Sequence, residues 1–363
     1  MKFVLAGYFG FGNFGDEAIL KYAVDIIRYY CKDAEINVIT QNPDVMKEQF
    51  GLRGIKRFDF MQINSAIRKS DCLIFPGGSV LQDVTSVKSI LYYLFLIFLG
   101  LLYKKKVIML SQGIGPVNNP FAKKLTCKIL KKVSFISVRD KKSYEALENN
   151  SISSELTADL LWAFTQKQTE EKTEEPTVFG EIPCSVEKQK VGLQLRNWAS
   201  LTDEKLEIIA KCVLKAFPKI EFDYKLICLQ KNSDEKILIR LGEIMHEMNP
   251  KARIELCIPD GIENSIELLQ KMDYMIAMRF HAGLCTINAE KPLLMLSYDP
   301  KTDEFCRELG LEMLDVNEIS KTLLMEKISW LKEFNPVKTA LKTNILVKKA
   351  RQNVDFLVRE IEE

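Results

Sequence analysis

The sequence predicts an α/β protein built from two doubly wound, Rossmann-like domains, and three observations carry that reading. Short apolar runs alternate with helical stripes through the first half of the 363 residues. Residues 166–190, polar, charged and carrying two prolines, then break the pattern. Behind that stretch the alternation starts again.

Taken in order, residues 2–6 (KFVLA) form an apolar run that stops at a glycine, which reads as a buried strand. Residues 16–30 carry a helical stripe, and residues 36–40 make a second strand. Residues 71–75 (DCLIF) are a strand closed by Pro76-Gly77-Gly78, residues 107–111 (VIMLS) one closed by Gln112-Gly113-Ile114-Gly115-Pro116, and residues 135–138 a further short one. After the break, strands are expected at 190–195, 224–229, 254–257, 274–277 and 292–297. Helices are expected at 203–217, 234–248 and 262–271, and charged helix from about residue 316. The expected domains are 1–165, a linker at 166–190, 191–330 and a charged C-terminal helix at 331–363. This is a GT-B-like architecture, similar to that of the two-domain glycosyltransferases. Ligands in such sheets bind at the C-terminal strand ends, here expected to face a shared cleft.

Composition narrows the function. Apolar residues make up 47% and charged residues 28%, the balance of a globular protein with real cores. Lys and Arg number 51 against 49 Asp and Glu, so the basic excess of a dedicated nucleic-acid binder is missing. The nine cysteines include no C-x-x-C pair and sit mostly in apolar runs, which reads as reduced core thiols in a cytoplasmic protein. With two histidines in the chain, a Cys/His metal site is not expected. The opening MKFVLAGYFG reads as strand and turn rather than as a signal peptide. Residues 90–103 (ILYYLFLIFLGLLY) are too few to span a bilayer of about 30 Å. They form either a core helix or a helix lying on a membrane surface, with Tyr92, Leu96 and Leu99 toward lipid and Lys104, Lys105 and Lys106 at the headgroups.

Gly10, Gly12 and Gly15 spell G-x-G-x-x-G between a strand and a helix, the setting of a dinucleotide fingerprint. Against that reading, the second strand ends Thr40-Gln41-Asn42 with no carboxylate for a ribose. Asp16 and Glu17 also place negative charge where a pyrophosphate should sit. Two alternatives stand beside it: a tight turn with acidic helix caps, or a sugar site in which Asn13, Asp16 and the amides of the loop, Gly12 and Gly15 included, bind hydroxyls.

GYFGFGNFGDEAIL at residues 7–20 resembles the opening motif of bacterial polysaccharide pyruvyl transferases, in particular the branch acting on a lipid-linked cell-wall disaccharide. FPGGSVLQD (75–83), SQGIGP (111–116), SVRD (137–140), TADLLWAF (157–164), RFHA (279–282) and SYDPK (297–301) extend the resemblance in consistent order to residue 301. Glu290-Lys291-Pro292 departs from it, where a small or apolar residue is expected before the proline. The resemblance implies phosphoenolpyruvate as donor and a sugar with free 4- and 6-hydroxyls as acceptor. In the nearest branch that sugar is N-acetylmannosamine in a polyprenyl-diphosphate-linked disaccharide, and the product is a 4,6-ketal. No cofactor is expected, phosphoenolpyruvate being a substrate; no metal is required, since arginines can neutralise the phosphate, although a Mg²⁺ contribution stays open. No nucleic-acid partner is expected, and the expected place of work is the cytoplasm, at the inner face of the cell membrane.

A small trianion needs fixed cations. Arg139, Arg196 and Arg279 each follow a predicted strand, and Lys301 follows another. The alternative for each is an arginine paired with a nearby acid, such as Arg139 with Asp140. Ketal formation needs proton transfer near neutral pH, which suits His281 better than His246. If residues 279–281 are extended, Arg279 and His281 point the same way. Asp16 and then Asp83 are the candidate bases, each alternatively a cap or loop acid. A nucleotide-sugar glycosyltransferase of the same architecture, or a non-catalytic binding module, are the competing functions.

Overall fold

Strand pairing divides the protein into two all-parallel sheets, and a computed structural model describes residues 1–84, 86–165 and 188–362. The chain forms two units, Met1–Phe164 with Leu346–Glu363, and Thr165–Ile345.

In the first unit the elements run β1 (Lys2–Ala6), α1 (Phe14–Tyr30), β2 (Glu35–Thr40), α2 (Pro43–Phe50), β3 (Arg53–Lys56), α3 (Phe60–Lys69), β4 (Cys72–Phe75), β5 (Gly78–Leu81), α4 (Val87–Leu102), β6 (Lys106–Ile114), α5 (Pro120–Leu130), β7 (Phe135–Val138), α6 (Lys141–Glu148) and β8 (Glu155–Leu156). The sheet order is β3-β2-β1-β4-β6-β7-β8, with β5 beside β6. The centre is covered on both faces, so its strands are unbroken apolar runs: CLIF of β4 is buried at every position.

The second unit runs β9 (Gln189–Gln194), α7 (Asp203–Ala216), β10 (Phe222–Ile227), α8 (Lys231–Met248), β11 (Ile254–Cys257), α9 (Ile262–Gln270), β12 (Tyr274–Ala277), α10 (Phe280–Asn288), β13 (Leu293–Ser297), α11 (Pro300–Leu309), β14 (Met313–Asp315) and α12 (Lys321–Lys332). Its order, β11-β10-β9-β12-β13-β14, is the 3-2-1-4-5-6 of a dinucleotide fold. In both sheets the direction of winding reverses beside the first strand, between β1 and β4 and between β9 and β12. The α/β class expected from the sequence is what the chain adopts.

Several expectations change. The linker at 166–190 lies outside the described residues up to 187, and β9 already begins at Gln189. The C-terminal helix is not a separate charged tail. Helix α13 (Val337–Glu362) contributes its part from Leu346 to the first unit, where Ala350, Asn353 and Leu357 are fully buried. Asn353 Oδ1 accepts the hydroxyls of Ser137 and Thr157 at 2.6 and 3.1 Å, and its amide donates to Ala158 O at 3.0 Å.

Helix α4 resolves the choice posed by residues 90–103 into two faces. Ile90, Tyr93, Leu94, Leu96, Ile97 and Leu99 are buried in the core of the first unit, whereas Phe95, Phe98 and Leu102 are exposed. Leu96 and Leu99 therefore do not face outward, and the Tyr92 hydroxyl donates to Arg57 O at 2.7 Å. Lys106 is committed as well, donating to Glu360 O at 3.0 Å. No helix among the described residues is long and apolar enough to cross a membrane.

Candidate functional site

Doubly wound sheets bind ligands where the winding reverses, outside the C-terminal strand ends. Nearly all the residues picked out from sequence lie at such strand ends, and the chemistry of the two units differs.

In the first unit, the loop after β1 turns back on itself through Gly10 (φ +78°) and Gly12 (φ +67°). Gly10 has no room for a side chain, since a Cβ there would stand 2.2 Å from Thr40 Oγ1 at the end of β2. The turn aims the Gly10 amide at the first turn of α1, where Glu17 Oε1 accepts it at 2.8 Å. Glu17 is 5% exposed. Burial pushes its carboxyl up to about 7; the Gly10 amide pulls the other way, Asp16 adds to the rise, and the Gly12 and Phe11 amides oppose it more weakly. The protein's own carboxylate thus takes the amides that a dinucleotide loop offers to phosphate. From sequence, Glu17 is a helix-dipole acid and a charge against pyrophosphate, and the signal for its tie to the loop amides is the G-x-G that begins seven residues before it.

Asp16 is hydrogen-bonded by the Asn13 side chain. It also reaches the β4 loop: a Cβ built on Gly78 would lie 3.2 Å from Asp16 Oδ1. Gly15 is the buried second residue of α1. Asn13, Asp16 and the Gly77-Gly78 turn therefore share the β1–β4 reversal point.

Arg139, at the end of β7, is paired with Asp159 at 2.5 Å rather than with Asp140, which caps α6 by accepting the Ser143 amide at 2.8 Å. The Arg139 side chain is 8% exposed, and it also donates to Ser79 Oγ at 3.0 Å. Asp83 departs from its expected role. Its two oxygens accept the Asn118 and Asn119 amides at 2.9 and 2.6 Å, which hold its carboxyl below the usual range. It pins the β6–α5 loop, an arrangement of a positioned anion rather than of a proton acceptor.

In the second unit, β9 ends at Gln194 and β12 leads to Met278-Arg279. Gln194 is buried; its Oε1 accepts the Arg279 backbone amide at 2.8 Å, and its Nε2 donates to Asp234 Oδ2 at 3.3 Å. Asp234, in the first turn of α8, is fully buried and holds Arg279 in a fork, Nε to Oδ2 at 2.7 Å and Nη2 to Oδ1 at 2.6 Å. Gln230 Oε1 accepts from Nη2 at 2.7 Å. Arg279 is therefore aimed by a carboxylate 45 positions away, a partner that spacing cannot announce.

Arg196 completes the cationic group. It donates to the Tyr298 hydroxyl at 2.9 Å and lies 4.9 and 5.6 Å from the ring centres of Tyr298 and Trp198. Burial raises the Tyr298 phenol above its usual range, so it remains the neutral partner, with Arg196 and Arg279 both pulling against that rise.

Residues 279–281 are not extended. Arg279 caps α10, and Phe280 and His281 are its first two residues, because only Met278 and Arg279 separate β12 from the helix. The common direction expected for Arg279 and His281 from a two-residue period therefore does not apply. His281 sits at the helix N-terminus with its ring edge-on to Phe280, centroids 5.0 Å apart. Lys301 is the exposed second residue of α11, behind the Asp299 cap that accepts the Thr302 amide at 2.9 Å.

Comparison with known proteins adds to this geometry. AmsJ, the amylovoran biosynthesis protein of Erwinia amylovora, is 21% identical, with 91% of each chain covered. Among solved structures, UDP-GlcNAc 2-epimerase from Neisseria meningitidis, bound to UDP-GlcNAc, matches with a TM-score of 0.63 at 12% identity, covering 99% of this chain and 100% of that one. The Methanocaldococcus jannaschii UDP-GlcNAc 2-epimerase matches at 0.63 and 14%, covering 99% of both. At such identities these structures speak for the fold alone. The model of polysaccharide pyruvyl transferases matches residues 13–300, which spans the reversal points of both sheets, and the chain belongs to that family.

Proposed function

We propose that this transferase of polysaccharide biosynthesis moves the enolpyruvyl group of phosphoenolpyruvate onto a sugar and closes a 4,6-linked pyruvate ketal. The observation that carries the reading is the cationic group at the β9–β12 reversal: Arg279 aimed by buried Asp234, with Arg196 past the neighbouring strand β9 and His281 in the first turn of α10. A donor with about three negative charges suits such a set, since planar guanidinium groups match phosphate and carboxylate oxygens.

In the proposed reaction, carbon 3 of the enol takes a proton and a sugar hydroxyl adds to carbon 2. The second hydroxyl then adds to the same carbon as the bond to phosphate breaks. One hydroxyl proton ends on the new methyl group and the other on the departing phosphate, so the atoms balance with the two substrates alone. His281 is assigned the proton delivered to carbon 3. Arg279, Arg196 and Lys301 of the second unit are assigned to the donor, and Arg139 of the first unit to a substrate anion. Asn13, Asp16 and the Gly12–Gly15 loop take the acceptor hydroxyls, and Asp16 is the base. The acceptor proposed is N-acetylmannosamine in a polyprenyl-diphosphate-linked disaccharide, met at the inner face of the membrane.

The test is phosphate release from phosphoenolpyruvate with and without that disaccharide, with product mass. Acceptor-dependent release and a gain of the pyruvate ketal mass are expected. Release of UDP from a UDP-sugar, with phosphoenolpyruvate untouched, would overturn the donor and favour a glycosyltransferase. Turnover of phosphoenolpyruvate with a different sugar only would overturn the acceptor.

A further inference from the structure

Charge along this chain is far from even. Residues 84–139 hold ten Lys and Arg and no Asp or Glu, in a protein whose net charge is only +2. This span builds α4 and α5, which pack beside each other in the first unit. On α5, Lys123, Lys124 and Lys128 are exposed, followed by Lys131 and Lys132, and Phe121 near its start is exposed too. On α4, Lys88, Phe95 and Leu102 recur every seven residues on the outward side, with Phe98 between them.

The neighbouring α3 continues the same surface. Phe60 meets Phe95 edge-on at 5.7 Å, and the Tyr103 hydroxyl donates to Asn64 at 2.7 Å, so α3 and α4 run side by side in the same direction. Phe58 and Met61 add exposed apolar area at the start of α3, Met61 being 85% exposed. Arg68 and Lys69 close α3 at the end where Lys104 follows α4. Exposed aromatic residues thus lie in the middle, with cations at both sides.

We propose that this α3–α4–α5 face of the first unit docks on an anionic lipid bilayer. Aromatic and aliphatic side chains entering the acyl boundary, rimmed by lysines that meet anionic headgroups, are the two components of interfacial binding. Residues 84–139 bring no carboxylate to the α4–α5 part of this face, and on the α3 side Asp59 is engaged by the Gln62 backbone and side-chain amides at 3.0 and 2.7 Å, which limits the repulsion that acidic lipid would feel. The chemistry of donor and acceptor does not enter this inference, which stands or falls independently of it.

Co-sedimentation of the full chain with vesicles of phosphatidylcholine, alone or with phosphatidylglycerol, provides the test. Binding is expected on the anionic vesicles, weaker on neutral ones and falling with salt. The exposed double substitution F95S/F98S and the triple K123Q/K124Q/K128Q should each weaken it by about tenfold or more, with thermal unfolding unchanged and salt dependence blunted in the triple. Failure of the wild-type protein to bind anionic vesicles overturns the proposal. So does binding indifferent to both variants, or an oligomer that F95S/F98S dissociates without vesicle binding, which would make the face a contact between copies. Binding to a DNA duplex as tight as to vesicles, with Phe95 and Phe98 irrelevant, would overturn it in favour of a nucleic-acid surface.

Discussion

The two reversal points share a strand order and differ in where they put charge. At β9–β12 the second unit buries a carboxylate, Asp234, behind a guanidinium and leaves the arginine as the group at the strand ends. At β1–β4 the first unit does the opposite: Glu17 reaches into the loop amides, and Asp16 with Asn13 lies at the strand ends. On the proposed reading, the same topology serves as an anion site or a hydroxyl site according to whether the internal counter-charge is an acid behind a cation or an acid inside the turn. A G-x-G-x-x-G loop is not by itself a phosphate site, because a buried glutamate one turn into the helix can use its amides.

That contrast can be tested hardest at His281. If the second unit carries the proton transfer, His281→Ala should keep its affinity for phosphoenolpyruvate while kcat falls about 10²–10⁴-fold. His281→Gln should do no better, and a Gln variant with near-normal kcat would reduce the histidine to a positioning donor.

Asp234 comes next. Asp234→Ala leaves Arg279 and Gln194 without their buried partner, and urea unfolding should show a loss of about 3–5 kcal/mol. The double variant Asp234→Ala/Arg279→Met should recover much of that loss. If the single change costs nothing, the fork does not hold the site together.

In the first unit, Glu17 should make stability fall as pH rises. Its folded value is about 7 against an ordinary 4.5, so between these the folded protein holds a proton that the unfolded chain has released. Stability is then greatest below about pH 4.5 and declines until about pH 7, by up to about 3 kcal/mol. Glu17→Gln should flatten that decline in unfolding measured from pH 4.5 to 8. An unchanged slope would show that Glu17 ionises normally, so that burial does not hold its carboxyl above the ordinary range.

The smallest effect is expected at Asp83, whose lowered carboxyl contributes stability above the ordinary carboxylate range that is lost as pH falls through the folded value. Asp83→Ala should speed hydrogen exchange at the Asn118 and Asn119 amides and leave proton transfer intact. A rate loss as deep as that of His281→Ala would restore it as a base.

The sequence made the framework legible because buried parallel strands are short apolar runs, and CLIF, VIML and LLML announce themselves. It also placed Arg139, Arg196 and Arg279 past strand ends correctly. What it missed depends on distance along the chain or on backbone direction. Asp159 and Asp234 pair with arginines 20 and 45 positions away. The Gly10 and Gly12 turn decides that Glu17 faces backward, and helix α10 starts so soon after β12 that Phe280 and His281 are already helical. Residues 90–103 look apolar on every side, and only packing against the sheet separates Leu96 from Phe95. Short strands such as Arg53–Lys56 and Met313–Asp315 carry too few residues to show a period at all.

Asn353 has a consequence for synthesis. Its side chain ties together Ser137, Thr157 and the Ala158 carbonyl, so the first unit gains part of its interior from residues that leave the ribosome after both sheets. At about 5–20 residues per second, the second unit, continuous from Thr165 to Ile345, has its whole sequence available seconds earlier than the first. The half of the protein made first is therefore the half that must wait for Ala350 and Leu357 to complete its interior.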